Sequence, residues 1–160
     1  MAKTIGLYSL AAPTNLALSL VTGGSLLANT TYYYQIFACE LKFGVVVFSP
    51  RTATVSITTD STKKSIKLTW TGIAGYVPTN VDGNCYHILR STVDSFLDTD
   101  ATLLMSGTSD TLSRRIYGVT VTFTDTGTGH ADHYIPNYKG GLPVIYVSTG
   151  ANEWVMTCPQ

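Results

Sequence analysis

Thr31-Tyr32-Tyr33-Tyr34-Gln35-Ile36-Phe37-Ala38-Cys39 is the stretch whose reading decides the fold class. Aromatic, β-branched and compact residues dominate it, and these fit a pleated, half-buried surface. Alternation puts Tyr32, Tyr34, Ile36 and Ala38 on one face and Tyr33, Gln35, Phe37 and Cys39 on the other. Outward from this run, other short period-two segments follow. Leu16–Leu20 lies before it. After it come Val45–Phe48, which Ser49-Pro50 breaks, then Thr52–Thr58 with Ala53, Val55 and Ile57 inward. Ser65–Trp70 turns Ile66, Leu68 and Trp70 inward, and Cys85–Arg90 follows. Ala101–Ser106 and Val119–Phe123 are later candidates, the second closed by Thr124-Asp125-Thr126-Gly127. Turn signals such as Thr22-Gly23-Gly24-Ser25 punctuate the strands every ~8–12 residues, as in a β-sandwich. The expected core is Leu16, Leu18, Tyr34, Ile36, Val55, Ile57, Leu68, Trp70, Tyr86, Ile88, Val121 and Phe123.

Composition agrees. The 160 residues carry 25 Thr, 13 Ser and 10 Tyr but only 2 Glu and 6 Lys, so the residues that build exposed helices are scarce. Charged residues are 12% of the chain, about half the usual share, and the net charge is zero. A neutral chain lacks the basic surface that nucleic acid or an anionic membrane requires, so neither is an expected partner. No apolar run nears the ~18 residues of a membrane span. The opening Met1-Ala2-Lys3-Thr4 begins no secretion signal.

Residues 1–12 read as an entry arm, 13–129 as the sandwich, and 130–160 as an extension. The extension holds an irregular segment and a hairpin of Val144–Ser148 and Glu153–Met156. A lone two-stranded hairpin is marginal in water, so it is expected to dock on something. Its Val144, Tyr146, Trp154 and Met156 are candidate partner contacts. So are Tyr33, Phe37, His87 and Leu89, which lie on the face opposite the core set and are too apolar for a solvated surface.

No catalytic constellation stands out, so no enzyme activity is expected. Gly-x-Ser-x-Gly is absent, and no pair of carboxylates is singled out among two Glu and eight Asp. No metal or cofactor is expected either. His130-Ala131-Asp132-His133 groups three donors on a loop but supplies no fourth. Asp94, Asp98 and Asp100 lack the turn Gly of a calcium loop. Cys39, Cys85 and Cys158 form neither a disulfide framework nor a zinc spacing, and read as reduced, mostly buried thiols of a protein assembled in the cytosol.

A set of motifs carries a resemblance. Pro13-x-x-Leu16, Gly23-Gly-Ser-Leu26, Thr31-Tyr-Tyr-Tyr-x-Ile-x-Ala38, Gly44 and Ser49-Pro50 come first. Leu68-Thr-Trp70, Tyr86-x-Ile-Leu-Arg-Ser91 and Phe123-x-Asp-Thr-Gly127 follow. Over residues 13–129 the chain resembles the fibronectin type III-like, immunoglobulin-type sandwich domains of tailed-bacteriophage structural proteins. In an ordinary domain of that type the Leu-x-Trp and Tyr-x-Ile strands precede the Tyr-rich strand. Here it comes first, so the chain resembles a circularly permuted version. The connections at 75–86 and 107–119 are longer than usual.

The resemblance implies a non-enzymatic virion protein, assembled in the host cytoplasm. It implies an accessory or decoration role, docking on capsid or tail subunits and on copies of itself. The alternative is a carbohydrate- or receptor-binding module on a virion or cell surface, in which loop Tyr and Asp residues meet sugar, yet the 76–84 and 107–118 loops hold only Tyr76 and Tyr117 where a lectin needs clustered aromatics. The resemblance also makes the strands of Cys39 and Cys85 antiparallel neighbours, so the two are expected to face each other as free thiols.

Overall fold

In the computed structural model, residues 4–42, 45–77, 85–94, 96, 112–116, 121–127, 144–148 and 154–157 are described. Among them the regular structure is all strand. The first five strands are β1 (Thr4–Tyr8), β2 (Thr14–Val21), β3 (Thr31–Lys42), β4 (Val45–Phe48) and β5 (Val55–Thr58). The rest are β6 (Ser65–Thr71), β7 (Cys85–Ser91), β8 (Leu112–Ile116), β9 (Thr122–Asp125), β10 (Val144–Ser148) and β11 (Trp154–Thr157).

Among the described residues all strand pairings are antiparallel, and they build three sheets. One has the order β2-β6-β9. A second runs β4-β3-β7-β8, with β5 also on β3. β4 pairs with residues 39–42 of β3 and β5 with residues 31–34, so both share one edge of the long Tyr-rich strand. The third sheet has the order β1-β10-β11.

The first two sheets enclose one core. Tyr34, Ile36, Ala38, Tyr86 and Ile88 come from one side, Ile66, Leu68 and Trp70 from the other. Leu16, Leu18, Leu20, Ile57 and Phe123 pack on them half-buried, because their strands lie at sheet edges. Trp70 meets Tyr86 edge-on at 5.4 Å between ring centroids, a geometry that suits the aromatic quadrupoles. Leu10, Leu26, Tyr32, Val47 and Tyr76 complete the buried set.

Pro50 interrupts the β3 edge without leaving buried amides unpaired. Ser49 and Thr52 donate their N–H groups to the carbonyls of Ala38 and Ile36, each at 2.8 Å. Their hydroxyls accept from Ala38 N at 2.8 Å and Ile36 N at 3.0 Å. Side chains here replace the ladder bonds that a continuous strand would make.

Several expectations change. The arm contains a strand, β1, which pairs with β10 from the extension, so the two ends of the chain join in one sheet. The long connection at 107–119 contains β8, whose Arg114-Arg115 centre reads as loop but suits an outer strand. β3 runs three residues past Cys39, to Lys42. β5 starts only at Val55, and Ala53 is exposed. The strand expected at 119–123 is β9, shifted towards Asp125. Val121 is therefore not core: it sits ahead of the strand at the rim, 41% exposed, while its carbonyl accepts from Trp70 N. β11 starts at Trp154. The strand expected at Ala101–Ser106 lies outside the described residues.

Candidate functional site

β3 and β7 pair with Cys39 opposite Cys85 and Phe37 opposite His87. The two-residue repeat sends all four side chains to the face turned away from the core. Phe37 and His87 stack with centroids 4.8 Å apart and planes 3° from parallel. Beside them the Cys39 and Cys85 sulfurs lie 3.2 Å apart, and His87 Nε2 is 3.4 Å from Cys85 Sγ. The two Sγ atoms and one imidazole nitrogen all fall within 4.8 Å of one another. Both cysteines are free thiols.

This outer face is closed by the chain itself. Phe48, opposite Cys39 on β4, meets Phe37 edge-on at 6.1 Å. The Arg51 guanidinium lies over the Phe37 ring at 6.0 Å and donates to the Phe96 carbonyl at 3.0 Å. Phe37 and Leu89 are fully buried and His87 is 3% exposed. The core residue Tyr76 donates its hydroxyl to the carbonyls of Cys39, at 2.5 Å, and Cys85, at 3.1 Å. β3 and β7 are thereby tied together at the two cysteines.

The electrostatics favour thiolate at one sulfur. Cys39 is held well below the ordinary thiol range, first by the Cys85 thiol donating to it and then by the nearby imidazole, against the opposing effect of burial. His87 Nδ1 is buried with no hydrogen-bond partner among the described residues. Two thiols and an imidazole are donors that either oxidise or hold a soft metal ion.

A second polar feature ties the terminal sheet to the core. The Tyr8 hydroxyl of β1 donates to Glu40 of β3, and Lys42 Nζ lies 3.5 Å from Glu40 and 5.2 Å from the Tyr8 ring centroid. Desolvation, then the Glu40 carboxylate, pushes the Tyr8 phenol up to about 12.

Among the residues expected at partner contacts, Phe37, His87 and Leu89 come together but are inaccessible. A partner approaching that face meets Phe48, Arg51 and Phe96 instead. Tyr33 is half-buried on the same face. Val144 and Tyr146 sit on β10 opposite Tyr8 and Gly6, and Trp154 and Met156 sit on β11 opposite Ser148 and Tyr146. His130, Asp132 and His133 lie outside the described residues, as do Asp98, Asp100, Tyr117 and Cys158.

The Cys39–Cys85–His87 grouping was not legible as a site, because 46 residues separate the cysteines. The available signal was Cys85-x-His87 on a strand, which places both side chains on one face, combined with Cys39 on the corresponding face of its neighbour. No protein-family model matches the chain, and no curated protein or solved structure is found to be similar to it.

Proposed function

We propose that the chain is a non-enzymatic structural protein of a tailed-bacteriophage virion, an accessory or decoration protein assembled in the host cytoplasm. The observation that carries this reading is the antiparallel pairing of β3 with β7 in the register Cys39↔Cys85, the neighbour relation that a permuted fibronectin type III-like domain calls for. The remaining neighbours support it: β6 lies between β2 and β9, and β3 lies between β7 and the β4/β5 edge. The fold-level analogy then suggests the role, through the resemblance of residues 13–129.

The docking element in this reading is the β1-β10-β11 sheet. Its outer strands, β1 and β11, offer backbone groups to which a neighbouring subunit can add a strand. Partners would be capsid or tail subunits, or copies of the same chain. The glycan-binding alternative gains no support from Tyr76, whose ring and hydroxyl are buried in the core.

The test is biochemical. Purified particles should carry the chain at fixed stoichiometry, without added glycan. A chain lacking residues 142–160 should keep the sandwich fold by circular dichroism yet fail to join the particle. Absence of the chain from particles would overturn the virion reading, and normal incorporation of the truncated chain would overturn the docking role of β10 and β11.

A further inference from the structure

We propose that Cys39, Cys85 and His87 form a binding site for a thiophilic d10 metal ion, Zn²⁺ or Cu⁺, that staples β3 to β7. This goes beyond the virion role and does not depend on it.

The argument is geometric. Three soft donors converge on one point of one sheet face, two from β7 at positions i and i+2 and one from the directly opposed residue of β3. Two sulfurs on a tetrahedral zinc with bonds of ~2.3 Å sit about 3.8 Å apart, and a sulfur and an imidazole nitrogen sit about 3.6 Å apart. The chain holds its Sγ–Nε2 pair at 3.4 Å and its Sγ–Sγ pair at 3.2 Å. Metal binding thus asks the sulfurs to open by roughly half an ångström, on that bond length, and brings the imidazole nitrogen and the Cys39 sulfur, within 4.8 Å of each other, to the same ion.

A disulfide asks for more. Its sulfurs would have to close to ~2.05 Å, while directly opposed strand residues keep Cβ atoms ~4.5–5.5 Å apart, wider than the ~3.5–4.5 Å of a disulfide. A disulfide would also leave the imidazole without a task.

Charge points the same way. Two thiolates and a neutral imidazole around Zn²⁺ make a neutral centre, the form that burial tolerates. The surroundings are already rigid: Phe37 stacks on the imidazole, and Tyr76 binds the carbonyls of both cysteines. Such support from neighbouring groups is what holds a ligand set in place. Among the described residues no fourth side chain joins the group. Three-coordinate thiolate–imidazole sites suit Cu⁺, and Zn²⁺ would add one exogenous ligand.

The full-length chain, purified under reducing conditions, is titrated with Zn²⁺, with Co²⁺ as its spectroscopic substitute, and with Cu⁺. Metal is supplied both to the folded protein and during refolding, because a buried site can load as the chain folds. The expected result is one ion per chain and, with cobalt, a thiolate charge-transfer band. Cys39→Ser and Cys85→Ser should each remove that band. His87→Ala removes a ligand outright and should weaken binding by more than the about 10–100-fold that losing a group hydrogen-bonded behind a ligand costs. Cys158→Ser and a His130→Ala/His133→Ala variant should bind as the parent chain does.

Near-ultraviolet circular dichroism of each apo variant separates loss of ligation from loss of fold. Should the serine variants not fold, the parent chain's own stoichiometry and cobalt spectrum still decide. Absence of binding by the parent chain under both loading regimes overturns the proposal. So does a band that survives in folded Cys39→Ser, or conversion of the pair to a disulfide that excess Zn²⁺ does not prevent.

Discussion

The Tyr34 hydroxyl donates to Asp125 Oδ2 at 2.9 Å, joining residues 91 positions apart across the two sheets of the core. Arg90 donates to both oxygens of the same carboxylate, at 3.1 and 2.8 Å, and Gly127 N donates to Oδ1 at 2.9 Å. Asp125 is 4% exposed, and these donors compensate the cost of burying its carboxylate. The phenol responds in turn. Burial first, and the adjacent carboxylate second, push Tyr34 far above the ordinary tyrosine range.

Asp125→Ala should therefore cost about 3–5 kcal/mol, because the Arg90 guanidinium would lose a buried carboxylate that balances it. Tyr34→Phe should cost ~1.5–3 kcal/mol, the value of a hydrogen bond to a charged group. The double variant should be little worse than Asp125→Ala alone. Urea unfolding of the three proteins measures this, and strict additivity would show that the two side chains act independently.

Trp70 is 4% exposed near the C-terminal end of β6 and packs edge-on against Tyr86. Trp70→Ala should cost on the order of 3–5 kcal/mol as a buried large-to-small change. A melting temperature within a degree or two of the parent, on the ~2–8 °C per kcal/mol scale, would place Trp70 at the periphery.

The edge repair around Pro50 makes a site-resolved prediction. Ser49→Ala removes the acceptor of Ala38 N, and Thr52→Val removes that of Ile36 N. Each should cost ~1–3 kcal/mol, the penalty for a buried donor left unpaired. Hydrogen exchange should quicken at Ala38 in the first variant and at Ile36 in the second. Unchanged protection at both amides would show that the hydroxyls are not their partners.

High pH should unfold the chain through its buried phenols. Desolvation raises both Tyr34 and Tyr76 above the free value of 10.0. A raised folded value means that the stabilising contribution is complete below pH 10, the unfolded value, and is lost as pH rises above it. Each phenol then removes about 1.4 kcal/mol of stability per pH unit. Tyrosinate absorbance from these residues should appear together with loss of the β-sheet dichroism. A smooth, non-cooperative titration near pH 10 in a chain that stays folded would contradict their burial.

Strand identity was legible in the sequence where its cause is local. The alternation in Thr31–Cys39, Ser65–Trp70 and Cys85–Arg90 dictates which side chains share a face, because the pleat has a period of two in any sheet. The burial of Tyr34, Ile36, Leu68, Trp70 and Ile88 follows from that rule. So does the facing of Cys39 and Cys85, once the resemblance pairs β3 with β7.

Tertiary structure alone decided what covers each face and what pairs with each edge. Phe37, His87 and Leu89 read as a surface awaiting a partner, but Phe48, Arg51 and Phe96 close over them, the first two from the segment that runs back along the edge of β3. Thr4–Tyr8 reads as an arm because its partner, Val144–Ser148, lies at the other end of the chain. The thiol–imidazole cluster arises only when residues 46 apart meet. A local window contains the periodicity of a strand. It does not contain the long-range pairing that brings distant strands together, and that pairing is what assembles the cluster and the terminal sheet.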